Sequence, residues 1–172
     1  MEQQELKKYK ILFVCLGNIC RSPSAEAVMK HVVEQRGLSH LFEIDSAGIL
    51  SYHQGEPADQ RMQQHARKRG FELTSISRPV KTDDFWHFDL IIGMDDGNIR
   101  DLYIRTPDVE SSRKVVRMSR FFRTDRGYDH VPDPYYGGAQ GFELVLDMLQ
   151  EACEELVDQL LADNGELIEK RD

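Results

Sequence analysis

The chain has 172 residues, of which 40% are hydrophobic and 30% charged, and its formal net charge is -8. This length accommodates one well-buried domain and is short for two. The negative charge argues against a general binder of nucleic acid or anionic membrane, because both need a basic face, but it leaves room for a small anionic substrate held by a few local donors.

The first part of the chain predicts two strand-and-helix pairs after a polar start. Residues 1–9 are polar and charged, so we expect a flexible N-terminal extension there. Residues 10–14 (KILFV) predict a buried strand because the run is continuously apolar. Residues 22–37 predict a helix that begins with a serine and a proline and ends on a glycine. Residues 42–46 (FEIDS) predict a second strand, and residues 57–69 a second helix.

The alternation continues through the middle of the chain. Residues 82–88 predict a short helical turn, residues 88–94 (FDLIIGM) a buried strand, and residues 95–103 a further helical segment. Residues 114–118 (KVVRM) predict a fourth strand.

The C-terminal part combines a loop with the clearest helix. Residues 124–141 are rich in Asp, Pro and Gly and predict a long loop. Residues 139–161 carry one continuous apolar stripe at helical spacing. Cys153 lies on that stripe and is interpreted as a buried apolar residue. Residues 163–172 are expected to form a charged tail.

This order of elements predicts an α/β fold. We expect a single domain over residues 10–162, built on a four-stranded parallel sheet with helices on both faces, and a phosphate-binding loop after the first strand. Such folds place their sites outside the C-terminal ends of the strands.

The sequence also indicates a compartment. No stretch approaches the roughly 20 apolar residues that span a bilayer, and the basic start lacks a cleavage site after its short apolar run. The three cysteines, Cys15, Cys20 and Cys153, are too few and too odd in number for a secreted disulfide scaffold. We therefore expect a cytoplasmic protein.

The loop after the first strand is suited to phosphate chemistry. A glycine and an asparagine allow unusual backbone angles, so that N–H groups can surround an anion at the start of the helix. Arg21 has a planar fork for two phosphate oxygens. These donors are expected to stabilise Cys15 as a thiolate placed for attack on phosphorus, and the Ser22 hydroxyl can donate to its sulfur. The expected phosphate-binding residues of the loop are Leu16, Gly17, Asn18, Ile19, Cys20 and Ser22.

Four segments resemble the motifs of the low-molecular-weight protein tyrosine phosphatases. They are VCLGNICRSP at residues 14–23, DSAG at residues 45–48, MDDGN at residues 94–98 and DPYY at residues 133–136. The resemblance covers residues 10 to about 161 in the family's order. It implies hydrolysis of phosphotyrosine through a phosphocysteine intermediate, with Cys15 as nucleophile and Arg21 as phosphate clamp. We expect neither a cofactor nor a metal, because the six histidines show no metal-ligand spacing with each other or with cysteine.

The resemblance implies further roles outside the loop. Asp133, between two prolines, would act as general acid for the leaving phenolate and then as base for the hydrolytic water. Aromatic residues would wall a crevice too deep for phosphoserine, namely Tyr52, Tyr135 and Tyr136. Two supporting residues are implied: the Ser46 hydroxyl would hold Asn18, and Asp95 would tie the third strand's loop to the second helix or to the phosphate loop.

The expected partners follow from this activity. They are phosphotyrosine-containing proteins, with inorganic phosphate or other oxyanions in the site, and no nucleic acid or membrane; we expect a monomer. Cys20, five positions after Cys15, suggests a reversible disulfide that protects the nucleophile from oxidation. His53 stands where the family often has Asn, a difference that could alter substrate preference.

Other functions remain alternatives. Related arginine phosphatases carry threonine at the position of Ile19, so isoleucine favours phosphotyrosine. An arsenate reductase on the same scaffold needs two further cysteines, which residues 70–100 lack. A non-catalytic phosphate-binding module is a further alternative, and the intact Cys15, Arg21 and Asp133 argue against it. A thiol–disulfide oxidoreductase that uses Cys15 and Cys20 would not explain Arg21 and Asp133.

Overall fold

Four parallel strands form one sheet. A computed structural model describes residues 7–135 and 137–163 of the chain. The strands are β1 (Tyr9–Cys15), β2 (Phe42–Gly48), β3 (Leu90–Gly93) and β4 (Val115–Arg117), and their order in the sheet is β2-β1-β3-β4. β1 therefore begins one residue before the predicted strand. The rest of the expected extension, over residues 1–6, and the expected tail, over residues 164–172, lie outside the described residues.

The helices follow the strands closely in sequence. Within the described residues they are α1 (Arg21–Gln35), α2 (Gln60–Lys68), α3 (Asp84–His87), α4 (Asp96–Arg105), α5 (Val109–Ser112) and α6 (Ala139–Asp163), with single 3₁₀ turns at Ser39–Leu41 and Met118–Phe121. The sequence did not predict α5 or the 3₁₀ turns, because elements of one turn are too short to show a period.

Both faces of the sheet are covered, which confirms the predicted α/β fold. Alternate residues of β1 point to opposite faces: Ile11 and Phe13 pack with residues of α1 and α6, whereas Leu12 and Val14 pack with residues of α3 and α4. All four side chains are fully buried. Burying each is worth roughly 1.5–3 kcal/mol, so a strand without alternation is stable here.

The start of α2 differs from its prediction because of a cap. The helix begins at Gln60 and not at Pro57, since the Asp59 carboxylate accepts hydrogen bonds from the N–H groups of Arg61 at 2.9 Å and Met62 at 3.3 Å. Pro57 instead pairs with Ile76 in an isolated antiparallel bridge.

The C-terminal ends of the strands converge on one edge of the sheet. β1 ends at Cys15 and β2 at Gly48, and these two residues are register partners. β3 lies on the other side of β1 and leads into α4, so the chain direction across the sheet switches beside Cys15. None of the helices in the described ranges is long and apolar enough to cross a membrane.

Candidate active site

The sulfur of Cys15 lies at the base of the phosphate loop. The residue is 3% exposed and ends β1. Its Sγ is 3.1 Å from the hydroxyl oxygen of Ser22 and accepts the backbone N–H of Ser22 at 3.4 Å. Two donors at the start of α1 are thus aimed at the sulfur, an arrangement that stabilises negative charge there.

Asn18 stabilises the conformation of the loop through hydrogen bonds to residues next to it. Its φ is 57°, and no other non-glycine residue among those described has a positive φ. Its Nδ2 donates to the hydroxyl oxygens of Ser22 at 2.8 Å and Ser46 at 3.0 Å, and its Oδ1 accepts the N–H of Arg78 at 3.0 Å. Because Asn18 supplies the hydrogen in its contact with Ser22, the Ser22 hydroxyl can donate either to the sulfur of Cys15 at 3.1 Å or to the Ala47 oxygen at 3.4 Å.

Glu26 completes this network and was missed from the sequence. It lies on α1, is 6% exposed, and its Oε1 accepts the Ser46 hydroxyl hydrogen at 2.6 Å. Its Oε2 accepts from Lys30 at 2.7 Å. The available signal was an acidic residue on the apolar side of a predicted helix, between Ala25 and Val28.

The segment after β2 runs alongside the loop and supports its backbone. The N–H of Ile49 donates to the Cys15 oxygen at 3.0 Å, and that of Leu50 to the Leu16 oxygen at 2.9 Å. Gly48 permits this approach, since a Cβ there would lie 3.1 Å from the Leu16 oxygen. The Ser77 hydroxyl also donates to the Gly17 oxygen of the loop at 2.9 Å, a contact that sequence reasoning missed.

Arg21 is a buried cation beside the sulfur. It is 2% exposed, and its Nη1 donates to Asp95 Oδ2 at 2.7 Å and to the Val131 oxygen at 2.9 Å. Burial alone would lower the pKa of Arg21, but the charge of Cys15 and the hydrogen bond with Asp95 hold it above its usual value. The guanidinium therefore remains charged at every pH at which the protein works.

Asp95 joins the β3 loop to the phosphate loop through Arg21. It caps α4 by accepting the N–H of Asn98 at 2.8 Å. Burial alone would raise the pKa of Asp95, but the hydrogen bonds from Arg21 and Asn98 hold it below its usual value. Asp95 thus stays ionised and fixes the guanidinium.

Asp133 faces the same guanidinium from the long loop. Its Oδ2 is 3.6 Å from Arg21 Nη2, and its Oδ1 accepts the N–H of Tyr135 at 3.0 Å. The N–H of Val131 bonds the Met94 oxygen at 2.8 Å and so anchors this segment to the end of β3. The Asp133 side chain is 38% exposed and therefore accessible to a bound substrate.

One cavity of about 300 Å³ brings these groups together. It is lined by Cys15, Leu16, Gly17, Ile19, Cys20, Arg21, Leu50, Tyr52, His53, Asp133 and Tyr135. Four other predicted site residues do not line it but support its walls, namely Asn18, Ser22, Ser46 and Asp95. Tyr136 lies outside the described residues.

The mouth of the cavity is aromatic and includes His53. The His53 ring is 4.9 Å from the Tyr52 ring and 6.2 Å from the Tyr135 ring, centroid to centroid. Its Nδ1 lies 2.7 Å from Glu56 Oε2. Tyr52 is 84% exposed, so its ring is free to contact a ligand that enters the cavity. The cavity therefore combines a nucleophile, a fixed cation, a carboxylate and an apolar entrance, a set suited to substitution at a tetrahedral oxyanion.

Comparison with known proteins identifies this constellation. The family model described as low molecular weight phosphotyrosine protein phosphatase matches residues 10–166. The chain belongs to this family. The family predicted from the four motifs is thereby confirmed. Residues of the first and last motifs line the cavity, and Ser46 and Asp95 of the other two are bonded to residues of the phosphate loop and its helix.

Individual members are similar over nearly their whole length. A putative low molecular weight protein-tyrosine-phosphatase of Synechocystis is 44% identical over 88% of this chain and 96% of its own. The crystal structure of a protein tyrosine phosphatase from Entamoeba histolytica, with Hepes in its active site, has a TM-score of 0.86 and 46% identity, covering 92% of this chain and 99% of that one. A Drosophila arginine phosphatase has a TM-score of 0.81 and 31% identity, covering 87% and 96%.

Proposed function

We propose that this phosphatase hydrolyses phosphotyrosine in proteins through a phosphocysteine formed on Cys15. The observation that carries the proposal is the meeting of Cys15, Arg21 and Asp133 in one cavity at the start of α1. Loop N–H groups and the Arg21 guanidinium would hold the phosphate oxygens and place the phosphorus in front of Sγ.

Two displacements at phosphorus make up the reaction. In the first, the Cys15 thiolate forms the S–P bond while the bond from phosphorus to the tyrosine oxygen breaks, and Asp133 gives that oxygen its proton. In the second, the Asp133 carboxylate takes a proton from water, whose oxygen attacks phosphorus and releases the thiolate. The hydroxyl and N–H of Ser22 stabilise the departing thiolate, since both lie within hydrogen-bond distance of Sγ.

The shape of the cavity supports tyrosine as the substrate residue. Tyr52 and Tyr135 lie at its entrance and can flank a phenyl ring, whereas the sulfur lies at its buried end. Because Cys15 is buried, we infer that the shorter phosphoserine side chain does not bring its phosphorus to the sulfur. Hepes in the active site of the Entamoeba protein is consistent with oxyanion binding, because Hepes carries a tetrahedral sulfonate.

Phosphoarginine is the second candidate substrate. The similarity to the Drosophila arginine phosphatase favours it, whereas Ile19, an apolar residue in the cavity wall, favours phosphotyrosine. Assays of both phosphorylated residues, in peptides of the same sequence, distinguish the two candidates.

The first experiment measures phosphate release from a phosphotyrosine peptide in the presence of a chelator. The wild type should release phosphate, and Cys15→Ser should not, because a hydroxyl at that position is not activated as a nucleophile. A denatured wild-type sample after brief reaction should contain phosphate bound to cysteine. Absence of release from folded, reduced wild type would reject the proposal and direct the assay to phosphoarginine.

We also propose a monomeric protein of the cytoplasm with its domain over residues 10–162. The three cysteines are free in the structure, and a catalytic thiol is maintained best in a reducing compartment. Light scattering of the purified chain and localisation of a fluorescent fusion test these two points. Deletion of residues 1–9 and 163–172 with retention of activity tests the boundaries.

A further inference from the structure

The first turn of α2 contacts the loop that carries Asp133. Arg61 donates from Nη2 to the backbone oxygen of Tyr135 at 3.0 Å. Its guanidinium carbon lies 5.4 Å from the ring centroid of Tyr135 and 4.9 Å from that of Phe142, within the range of cation–π attraction. One side chain therefore contacts both the backbone and the ring of Tyr135.

Asp59 fixes the direction of that guanidinium. Its Oδ1 accepts from Arg61 Nε at 3.2 Å and its Oδ2 from Nη2 at 3.0 Å. The backbone N–H of Asp59 also donates to the Ile19 oxygen of the phosphate loop at 2.8 Å. The start of α2 is thus bonded to the phosphate loop on one side and to the loop of Asp133 on the other.

Tyr135 connects Arg61 to the carboxylate of Asp133. The N–H of Tyr135 donates to Asp133 Oδ1 at 3.0 Å, while its carbonyl oxygen is the one that Arg61 binds. On the other side of Asp133, the oxygen of Val131 is held by Arg21 at 2.9 Å. Asp133 lies between these two anchored residues, in a segment whose described residues, 122–135 and 137–138, form no helix or strand.

We propose that Arg61 is a positioning residue that directs the Asp133 carboxylate toward the leaving oxygen by fixing Tyr135. This inference rests on the general-acid role of Asp133 in the proposed function. Without the guanidinium, the backbone of Tyr135 loses its bond to α2. The Asp133 carboxyl group then keeps its pairing with Arg21 at 3.6 Å, but the N–H that holds its other oxygen is less firmly placed. Proton transfer depends steeply on such placement.

The role makes a distinct kinetic prediction. Phenols of low pKa leave phosphorus without a proton, whereas tyrosine and phenol need one. A misdirected acid therefore slows poor leaving groups selectively, while a general loss of folding slows all substrates alike. The quantity to measure is kcat/KM, which covers the steps through departure of the leaving group.

The experiment compares aryl phosphates of increasing leaving-group pKa, from nitrophenyl phosphate to phenyl phosphate and phosphotyrosine. For Arg61→Ala we expect kcat/KM to fall about tenfold for phosphotyrosine and less than about threefold for nitrophenyl phosphate. Arg61→Lys, which retains the charge but lacks the planar fork, should lie between Arg61→Ala and the wild type. Arg67→Ala is the matched control, since Arg67 lies on the same helix and pairs only loosely with Glu72 at 3.8 Å. It should leave every rate unchanged.

A double-variant cycle with Asp133→Asn separates positioning from other effects. If Arg61 acts through Asp133, adding Arg61→Ala to Asp133→Asn lowers kcat/KM for phosphotyrosine by less than about twofold. An equal loss for all leaving groups, or the full loss in the Asp133→Asn background, overturns the inference.

The same measurements distinguish failure of the inference from failure of the proposed function. If Asp133→Asn steepens the dependence on leaving-group pKa and neither Arg61 variant does so, the inference alone is wrong. If the wild type releases no phosphate, or Asp133→Asn leaves that dependence unchanged, the proposed function fails and the inference fails with it.

Discussion

Ser46, near the C-terminal end of β2, donates its hydroxyl hydrogen to Oε1 of Glu26 on α1 at 2.6 Å. Ser46 accepts in turn from Asn18, so the contact begins a chain of hydrogen bonds that passes through Asn18 and Ser22 to the sulfur of Cys15. A buried carboxylate outside the phosphate loop therefore orients the Ser46 hydroxyl, so that Asn18 is the donor in its contact with Ser46.

Glu26→Ala should destabilise the protein by about 1–3 kcal/mol, because the buried Ser46 hydroxyl loses its acceptor. Glu26→Gln keeps an oxygen at that position and should cost less. The free energy of unfolding, measured with urea, gives both values. Glu34→Ala is the matched control, since Glu34 is exposed on the same helix. Equal stability of the Glu26→Ala and Glu34→Ala proteins would contradict the prediction.

Two substitutions of Asn18 should separate backbone strain from hydrogen bonding. Glycine adopts the φ of 57° without cost, whereas alanine in that region costs roughly 1–2 kcal/mol. Asn18→Ala should therefore be less stable than Asn18→Gly by about that amount. Both remove the bond to Ser22 and should lower kcat on the order of tenfold, since the Ser22 hydrogen is no longer directed at Cys15. A fully active Asn18→Gly protein would show that the side chain has no part in catalysis.

The phosphate loop could be predicted because its chemistry is local. Cys15 and Arg21 stand at the two ends of one loop, between an apolar run and a helix, so that strand, loop and helix signals agree. The sheet followed for the same reason, since each strand is a short apolar run beside a helical pattern. Asp133 is different, because its position opposite Arg21 depends on a contact across the fold. Its role was predicted from the family resemblance and not from a local pattern.

The residues that sequence reasoning missed act over long separations. Glu26 was not singled out in the sequence, and its role depends on a contact with Ser46, 20 positions away. Arg61 reaches Tyr135 across 74 positions. Neither contact leaves a local pattern in one sequence. The start of α2 was misplaced on different grounds, because Pro57 and Asp59 are both common at helix starts and only the structure shows which one caps.

Glu151 links α6 to the beginning of the long loop and should make stability depend on pH. It accepts the N–H groups of Arg123 and Thr124, both at 2.6 Å, and Arg126 Nη2 at 3.0 Å. Burial alone would raise the pKa of Glu151, but these hydrogen bonds lower it to about 2. A carboxyl group whose pKa is lower in the folded state stabilises that state above its unfolded pKa, and the contribution is lost as the pH falls through the folded value.

Glu151→Gln should therefore be less stable than the wild type at neutral pH, and the difference should shrink as the pH falls from 4.5 toward 2. Urea unfolding at a series of pH values measures this. Glu34→Gln, at an exposed position, provides the comparison. A difference between Glu151→Gln and the wild type that stays constant over this range would mean that the carboxylate charge does not contribute.

Cys20 should determine whether oxidation of Cys15 is reversible. Both cysteines line the active-site cavity as free thiols. Peroxide converts the Cys15 thiolate to a sulfenic acid, and attack by the Cys20 sulfur would form the disulfide and release water. Burial raises the pKa of the Cys20 thiol, and the negative charge of Asp59 adds to the effect, so this capture should be faster at higher pH.

The test compares wild type and Cys20→Ser after treatment with peroxide and then with a thiol reductant. The wild type should regain most of its activity, whereas Cys20→Ser should lose activity progressively as Cys15 passes to the sulfinic acid, which the reductant does not reverse. Cys153→Ser is the control, because Cys153 is fully buried on α6 and does not line the cavity. Recovery of Cys20→Ser to the same extent as the wild type would reject the protective disulfide. Mass spectrometry of the oxidised wild type is a second test, because the protective disulfide would link Cys15 to Cys20.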